Sequence, residues 1–277
     1  MASIDYEAEY DNRARTPSFP TILARWGHDA MAFRAKAKAK SEEEVAYGAT
    51  PREVMDVFFP KATDGAPLFM FIHGGYWRAF DQRLFSHFAR GLTMRGGIVA
   101  IPTYGLCPEV TIATILDQMR RACVFLWKRF QRPLTIIGHS AGGQLAAALM
   151  ATDWKTISPH LPADLVKASM PISGLPDLLP LIQTSINQDL RLDEDEAKRL
   201  SPLHWPAPAN GLAVVVVGET ESGEYRRQTR ELVAHWRAGG LEVAERVVSG
   251  ANHFTVLAEL VQPDSRMTND AWRLATE

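Results

Sequence analysis

Ser140 stands where chemistry is expected. It sits at the apex of Gly138-His139-Ser140-Ala141-Gly142-Gly143, between a β-branched run, Leu134-Thr135-Ile136-Ile137, and an Ala-rich stretch, Gln144–Met150. The pattern predicts a strand, a sharp turn and a helix, the setting of a nucleophile elbow. Such a turn strains the serine backbone and brings strand and helix close together, so glycines are needed on both sides. The helix that follows aims its first N–H groups at the serine, which favours negative charge there.

A serine needs a base. His28, His73, His87, His139, His160, His204, His235 and His253 are available. His253 lies in a glycine-containing turn, Ser249-Gly250-Ala251-Asn252-His253-Phe254, after the last apolar strand. That is where the chain order Ser, acid, His puts the base. His139 is expected to point under the sheet and His235 to lie on a helix surface. The base in turn needs a carboxylate to fix its tautomer, and Asp or Glu can serve. The turn Gly218-Glu219-Thr220-Glu221-Ser222-Gly223-Glu224 offers Glu221 first, since it is far enough past the strand to reach back. Glu219 and then Asp177 are the alternatives.

A second glycine motif, His73-Gly74-Gly75-Tyr76-Trp77, directly follows the apolar run Leu68–Ile72. Backbone N–H groups of Gly74 and Gly75, with that of Ala141 after the serine, could face an oxyanion. His73 is expected to stiffen this loop by hydrogen bonding. Tyr76 and Trp77 either wall a substrate site or pack into the core.

The elements that must hold these residues are legible as alternating strands and helices. Val54–Phe59, Leu68–Ile72, Ile98–Pro102, Pro133–Ile137, Leu212–Gly218 and Val243–Val248 read as strands, and Met170–Gly174 as a strand end. Asp81 can cap a helix carrying Leu84, Phe85, Phe88, Ala89 and Leu92, ending at Gly96-Gly97. Further helices are expected from Thr111 to Phe130 and from Tyr225 to Arg237. The alternation predicts a mostly parallel sheet flanked by helices, with ligands at its carboxyl edge. Residues 1–45 read as a polar helical extension broken at Pro17 and Pro20. The basic run Arg34–Lys40 reads as a solvated helix face. Residues 175–210, rich in Pro, Leu and Asp, read as an irregular cover. One domain of 1–277 is expected.

Composition narrows the partners. A net charge of −2 gives no reason to expect nucleic acid or an anionic membrane, and no apolar run has the length of a membrane span. Met1–Glu7 is acidic without an apolar segment, so no secretory signal is expected. Cys107 and Cys123 make neither a disulfide framework nor a metal site. A cytoplasmic protein is expected.

The chain resembles the α/β-hydrolases, and more narrowly the kynurenine formamidase (arylformamidase) group and its bacterial esterase-like relatives. The residues that carry the resemblance are His73–Trp77, Gly138–Gly143, Ser173-Gly174-Leu175-Pro176-Asp177-Leu178, Asn252-His253-Phe254 and the opening Tyr6–Ala14. That group usually places Asp at the acid position, whereas the turn after Gly218 offers only glutamates. The resemblance implies acyl transfer through Ser140, His253 and an acid, with no metal or organic cofactor. The partner would be a small-molecule amide or ester, and a homodimer is the one assembly considered.

Overall fold

The computed structural model describes residues 4–277, so Met1–Ser3 of the acidic opening lie outside the described residues. Eight strands form one sheet: β1 Ser41–Ala46, β2 Val54–Phe58, β3 Leu68–Ile72, β4 Ile98–Pro102, β5 Leu134–His139, β6 Val166–Ile172, β7 Leu212–Gly218 and β8 Glu242–Val248. Their order across the sheet is β1-β2-β4-β3-β5-β6-β7-β8. Pairing is antiparallel at β1–β2 and β2–β4 and parallel from β4 through β8. The helices are α1 Tyr6–Tyr10, α2 Asn12–Arg15, α3 Phe19–Ala37, α4 Arg90–Arg95, α5 Ile112–Phe130, α6 Ala141–Met150, α7 Trp154–Ile157, α8 Asn187–Leu190, α9 Glu194–Arg199, α10 Gly223–Ala238 and α11 Arg266–Thr276. No helix among the described residues is long and apolar enough to cross a membrane.

β3 and β4 are apolar throughout because both sheet faces are covered there. In β3, Leu68, Met70 and Ile72 pack with residues of α5, α6 and α10, while Phe69 and Phe71 pack with residues of α3 and α11. This is the period-two alternation of a strand, applied to two apolar layers rather than to one apolar and one wet face. The chain leaves β3 for β4 on one side and later returns as β5 on the other, so the sheet switches direction beside β3. Open sheets bind ligands at that switch, off the strands' carboxyl ends. Both glycine motifs follow those ends.

Several elements depart from the reading above. Residues 41–46 are strand β1, not the end of a helical extension; tertiary pairing with β2 overrides the helical propensity of Glu42-Glu43-Glu44. Pro20 sits in the first turn of α3, where a missing N–H costs nothing, and the helix runs on unbroken to Ala37. Arg34 is not simply solvated: it pairs with the buried Asp56 and, at 2.6 Å, with Glu43. Lys36, Lys38 and Lys40 are exposed. Asp81 does cap a helix, but its first eight residues, Gln82–Ala89, are 3-10 before α4 begins, and α4 ends on the left-handed Gly96. The segment 175–210 holds only short helical turns, among them α8 and α9. Cys107 and Cys123 are free and buried, and burial pushes the Cys107 thiol up to about 11.

Candidate active site

β5 ends directly in the turn that carries Ser140. Its backbone is forced to φ 57°, ψ −120°, outside the comfortable regions for a residue with a side chain. The turn is held by Ser140 N–H donating to Ile172 O (2.9 Å) and Gly143 N–H donating to Ser140 O (2.8 Å). The flanking glycines are steric requirements. A Cβ on Gly138 would strike the Gly142 carbonyl, and one on Gly142 would strike the Ile72 carbonyl. α6 starts at Ala141, so its positive end faces the serine.

His253, from the turn after β8, is buried at the same place. Its Nδ1–H donates to Glu221 Oε2 at 2.7 Å. Glu221 has no exposed side-chain surface; its Oε1 accepts from Ser173 Oγ (2.5 Å) and from the Gly218 N–H (2.7 Å). Three donors therefore fix a carboxylate that fixes the ring, leaving Nε2 of His253 as the nitrogen without a protein partner among the described residues. The other acids are engaged elsewhere. Glu219 is exposed and braces the β8 turn, accepting from Gly250 N–H (2.7 Å) and Ser249 Oγ (2.8 Å), bonds that lower its pKa. Asp177 accepts from the Leu179 N–H and lies 3.5 Å from His204.

Two histidines lie elsewhere than expected. His139 does not turn away beneath the sheet. Its Nε2–H donates to His253 O (2.7 Å), its ring lies 4.8 Å from that of His253, and burial, then the neighbouring His253, hold its pKa well below the usual value. His235 is half-buried, bonded to Trp205 O at 2.8 Å. His73 donates from Nδ1 to Gly74 O (2.7 Å) and is sandwiched between Tyr104 and Phe85. Burial lowers its pKa to about 4.

The loop after β3 concentrates strain. Gly75, Tyr76, Trp77 and Phe80 all have positive φ, at 115°, 49°, 55° and 77°. Gly74 lies so close to the elbow that a Cβ there would come within 2.9 Å of Ser140 Cβ. Among the described residues the N–H groups of Gly74, Gly75 and Ala141 have no acceptor in the protein. The aromatic pair divides. Tyr76 lines the cavity above Ser140, whereas Trp77 is fully buried in the core and forms no part of the lining. Left-handed backbone at both residues turns the second ring inward, so Trp77 is not a substrate-wall residue.

The cavity, about 170 Å³, is bounded by Ser140, His253, Gly74, Gly75 and Tyr76 and by residues that composition and spacing did not single out. Five of these, Glu7, Tyr10, Asp11, Asn12 and Arg13, come from the segment before α3. Asn12 Nδ2 donates to Tyr225 OH (2.8 Å) and Tyr76 OH (3.2 Å), and Tyr76 OH donates to Tyr10 O (2.6 Å). Tyr225 lies one turn into α10, its ring 4.6 Å from His253 and its hydroxyl facing Ser140. Tyr10 OH donates to Glu224 (2.9 Å), which Arg227 also holds. The signal available in the sequence was the Tyr6–Ala14 stretch itself, which resembled a family opening without indicating a place. No group of three or more His, Cys, Asp or Glu among the described residues is arranged to hold a metal ion.

A sheet of this order, with Ser140 in a tight elbow and His253 hydrogen-bonded to the buried Glu221 at its carboxyl edge, defines a class. The family model of the alpha/beta hydrolase fold matches residues 69–257, and the chain belongs to that family of hydrolases. Its relatives narrow the neighbourhood. It is 31% identical to the kynurenine formamidase of Salmo salar and 29% identical to that of Danio rerio, in each case over 85% of this chain and 82% of the relative. A solved structure from Silicibacter, provisionally described as a thioesterase, superposes with a TM-score of 0.88 at 31% identity, over 99% of this chain and 100% of that one. An esterase of Pyrobaculum calidifontis shares the fold at 16% identity (TM-score 0.72, 93% of each chain).

Proposed function

We propose that the chain is a serine hydrolase that cleaves an N-formyl aryl amide of the N-formylkynurenine type to formate and the free amine. The observation that carries the reading is the Glu221–His253 hydrogen bond at a cavity that Ser140 and His253 both line, in a chain 31% identical to a kynurenine formamidase. Ser140 Oγ attacks the formyl carbon while His253 Nε2 takes its proton. The carbonyl electrons move onto oxygen, and the N–H groups of Gly74, Gly75 and Ala141 donate to that oxyanion. Collapse expels the amine, which takes the proton from His253. Water, deprotonated by the same ring, then attacks the formyl-enzyme and releases formate and Ser140. Glu221 keeps Nδ1 protonated throughout and stabilises the imidazolium. The side chains of Ser140, His253 and Glu221 supply the whole cycle; no cofactor enters it.

A carboxylesterase or thioesterase reading uses the same steps with an alkoxide or thiolate as leaving group. The Silicibacter structure favours keeping it. Steady-state kinetics on N-formylkynurenine beside short nitrophenyl esters, with wild type and Ser140→Ala, decides. The formamidase reading expects the larger kcat/KM on the formamide and a loss of roughly 10⁴-fold or more in Ser140→Ala, with the melting temperature kept. Near wild-type turnover in the variant would overturn the serine mechanism; activity on esters alone would replace the formamide as substrate.

A further inference from the structure

Among the described residues, one cation at the cavity has no ion-pair partner. Four charged residues line it: Glu7, Asp11, Arg13 and Arg78. Glu7 accepts both the Ser185 N–H and the Ser185 hydroxyl at 2.6 Å. Asp11 caps α2 through the Ala14 N–H. Arg78 pairs with Asp189 at 2.6 Å. The Arg13 side chain makes no ion pair or hydrogen bond among the described residues. Its guanidinium lies over the Phe19 ring, 5.1 Å from the centroid, and Phe19 packs at 4.6 Å on Phe254, the neighbour of His253.

Stacking on an aromatic face holds the guanidinium plane while leaving its edge N–H groups free. Those N–H groups match a carboxylate, which they can bind in parallel pairs. The cavity that Arg13 and Ser140 share is lined by a contiguous set of rings: Phe19 packs on Phe254, and Trp26 on both Phe254 and Phe85. An aryl group fits that wall, with its acyl carbonyl at Ser140 and a negative charge at the opposite end. We propose that Arg13 is a specificity-determining residue that binds a carboxylate on the leaving group, so the site selects anionic aryl substrates over neutral ones. The proposal rests on the acyl-hydrolase reading above but not on which acyl bond is cleaved.

The test compares the ratio of kcat/KM for a carboxylate-bearing substrate to that for its neutral counterpart. The pairs are 4-formamidobenzoate with N-formylaniline, and 4-acetoxybenzoate with phenyl acetate. In Arg13→Gln the ratio should fall about tenfold, carried by KM of the anionic member, and Arg13→Lys should recover part of it. In the wild type the same ratio should fall as salt rises, because the site is open to solvent. An unchanged ratio in Arg13→Gln, or equal losses on both members of a pair, would overturn the proposal and leave Arg13 a packing residue. If Arg13→Gln fails to fold, Arg13→Lys and the salt series decide. If only esters are turned over, the formamidase reading fails while the ester pair still decides the role of Arg13.

Discussion

At the scale of single residues, the acid is the most informative position. Glu221 reaches His253 with one oxygen while Ser173 and the Gly218 N–H occupy the other. Glu221→Gln keeps the shape but removes the charge that orients the base. It should lower kcat by roughly 10³–10⁴-fold, while Glu219→Gln and Asp177→Asn stay within a few-fold. Turnover by the three variants on one substrate checks this, and a damaging Asp177→Asn would move the acid to the β6 turn. Glu221 could be singled out in the sequence because its distance past an apolar strand is a local quantity. Ser140 and His253 were legible for the same reason, each being fixed by a turn next to a strand. The side of Trp77 was not legible. Adjacent rings at 76 and 77 look equivalent in a sequence, and only left-handed backbone at both sends one into the cavity and the other into the core. Arg13 had no spacing relation to any site residue, because its place depends on how α1 and α2 dock.

At the scale of elements, β3, β4 and β7 announced themselves through apolar runs, whereas β6, broken by Lys167 and Ser169, showed only its end and β1 did not show at all. Ser41–Ala46 carries charged helix formers, and its extended form is imposed by the neighbouring strand. The segment before α3 was hidden in a similar way: its polar residues look solvated until their partners in α10 are known. Asn12 is the hinge of that docking, buried and donating to both Tyr76 and Tyr225. Asn12→Ala leaves two buried hydroxyls short of a donor and should cost about 1–3 kcal/mol of stability. It should also lower kcat/KM by loosening Tyr76 next to Gly75. Thermal melts and kinetics on the same preparation test both parts. Full activity with an unchanged melt would show that the segment docks without Asn12.

At the scale of the molecule, three buried histidines tie folding to pH. Burial lowers His73 and His87 to about 4 and holds His139 well below the ordinary 6.5. The unfolded chain therefore binds more protons than the native one below about pH 6.5, so stability is complete above that pH and falls as pH drops toward 4. Each histidine contributes up to about 1.4 kcal/mol per pH unit in that window. The urea midpoint should drop clearly between pH 7 and pH 5, and a flat midpoint would contradict the neutral burial of these rings. The polar seam between α1 and α10 acts over another dimension, time. Tyr10, which lines the cavity, and Glu224 are separated by 214 positions, yet a hydrogen bond joins them. Residues 5–16 leave the ribosome early and wait for partners that emerge only after β7, since contacts so distant in sequence form late. Between the synthesis of Ser140 and that of His253 the nascent chain carries the serine without that histidine and without the α10 side of the seam. The site of this hydrolase is therefore complete only as the last part of its chain arrives.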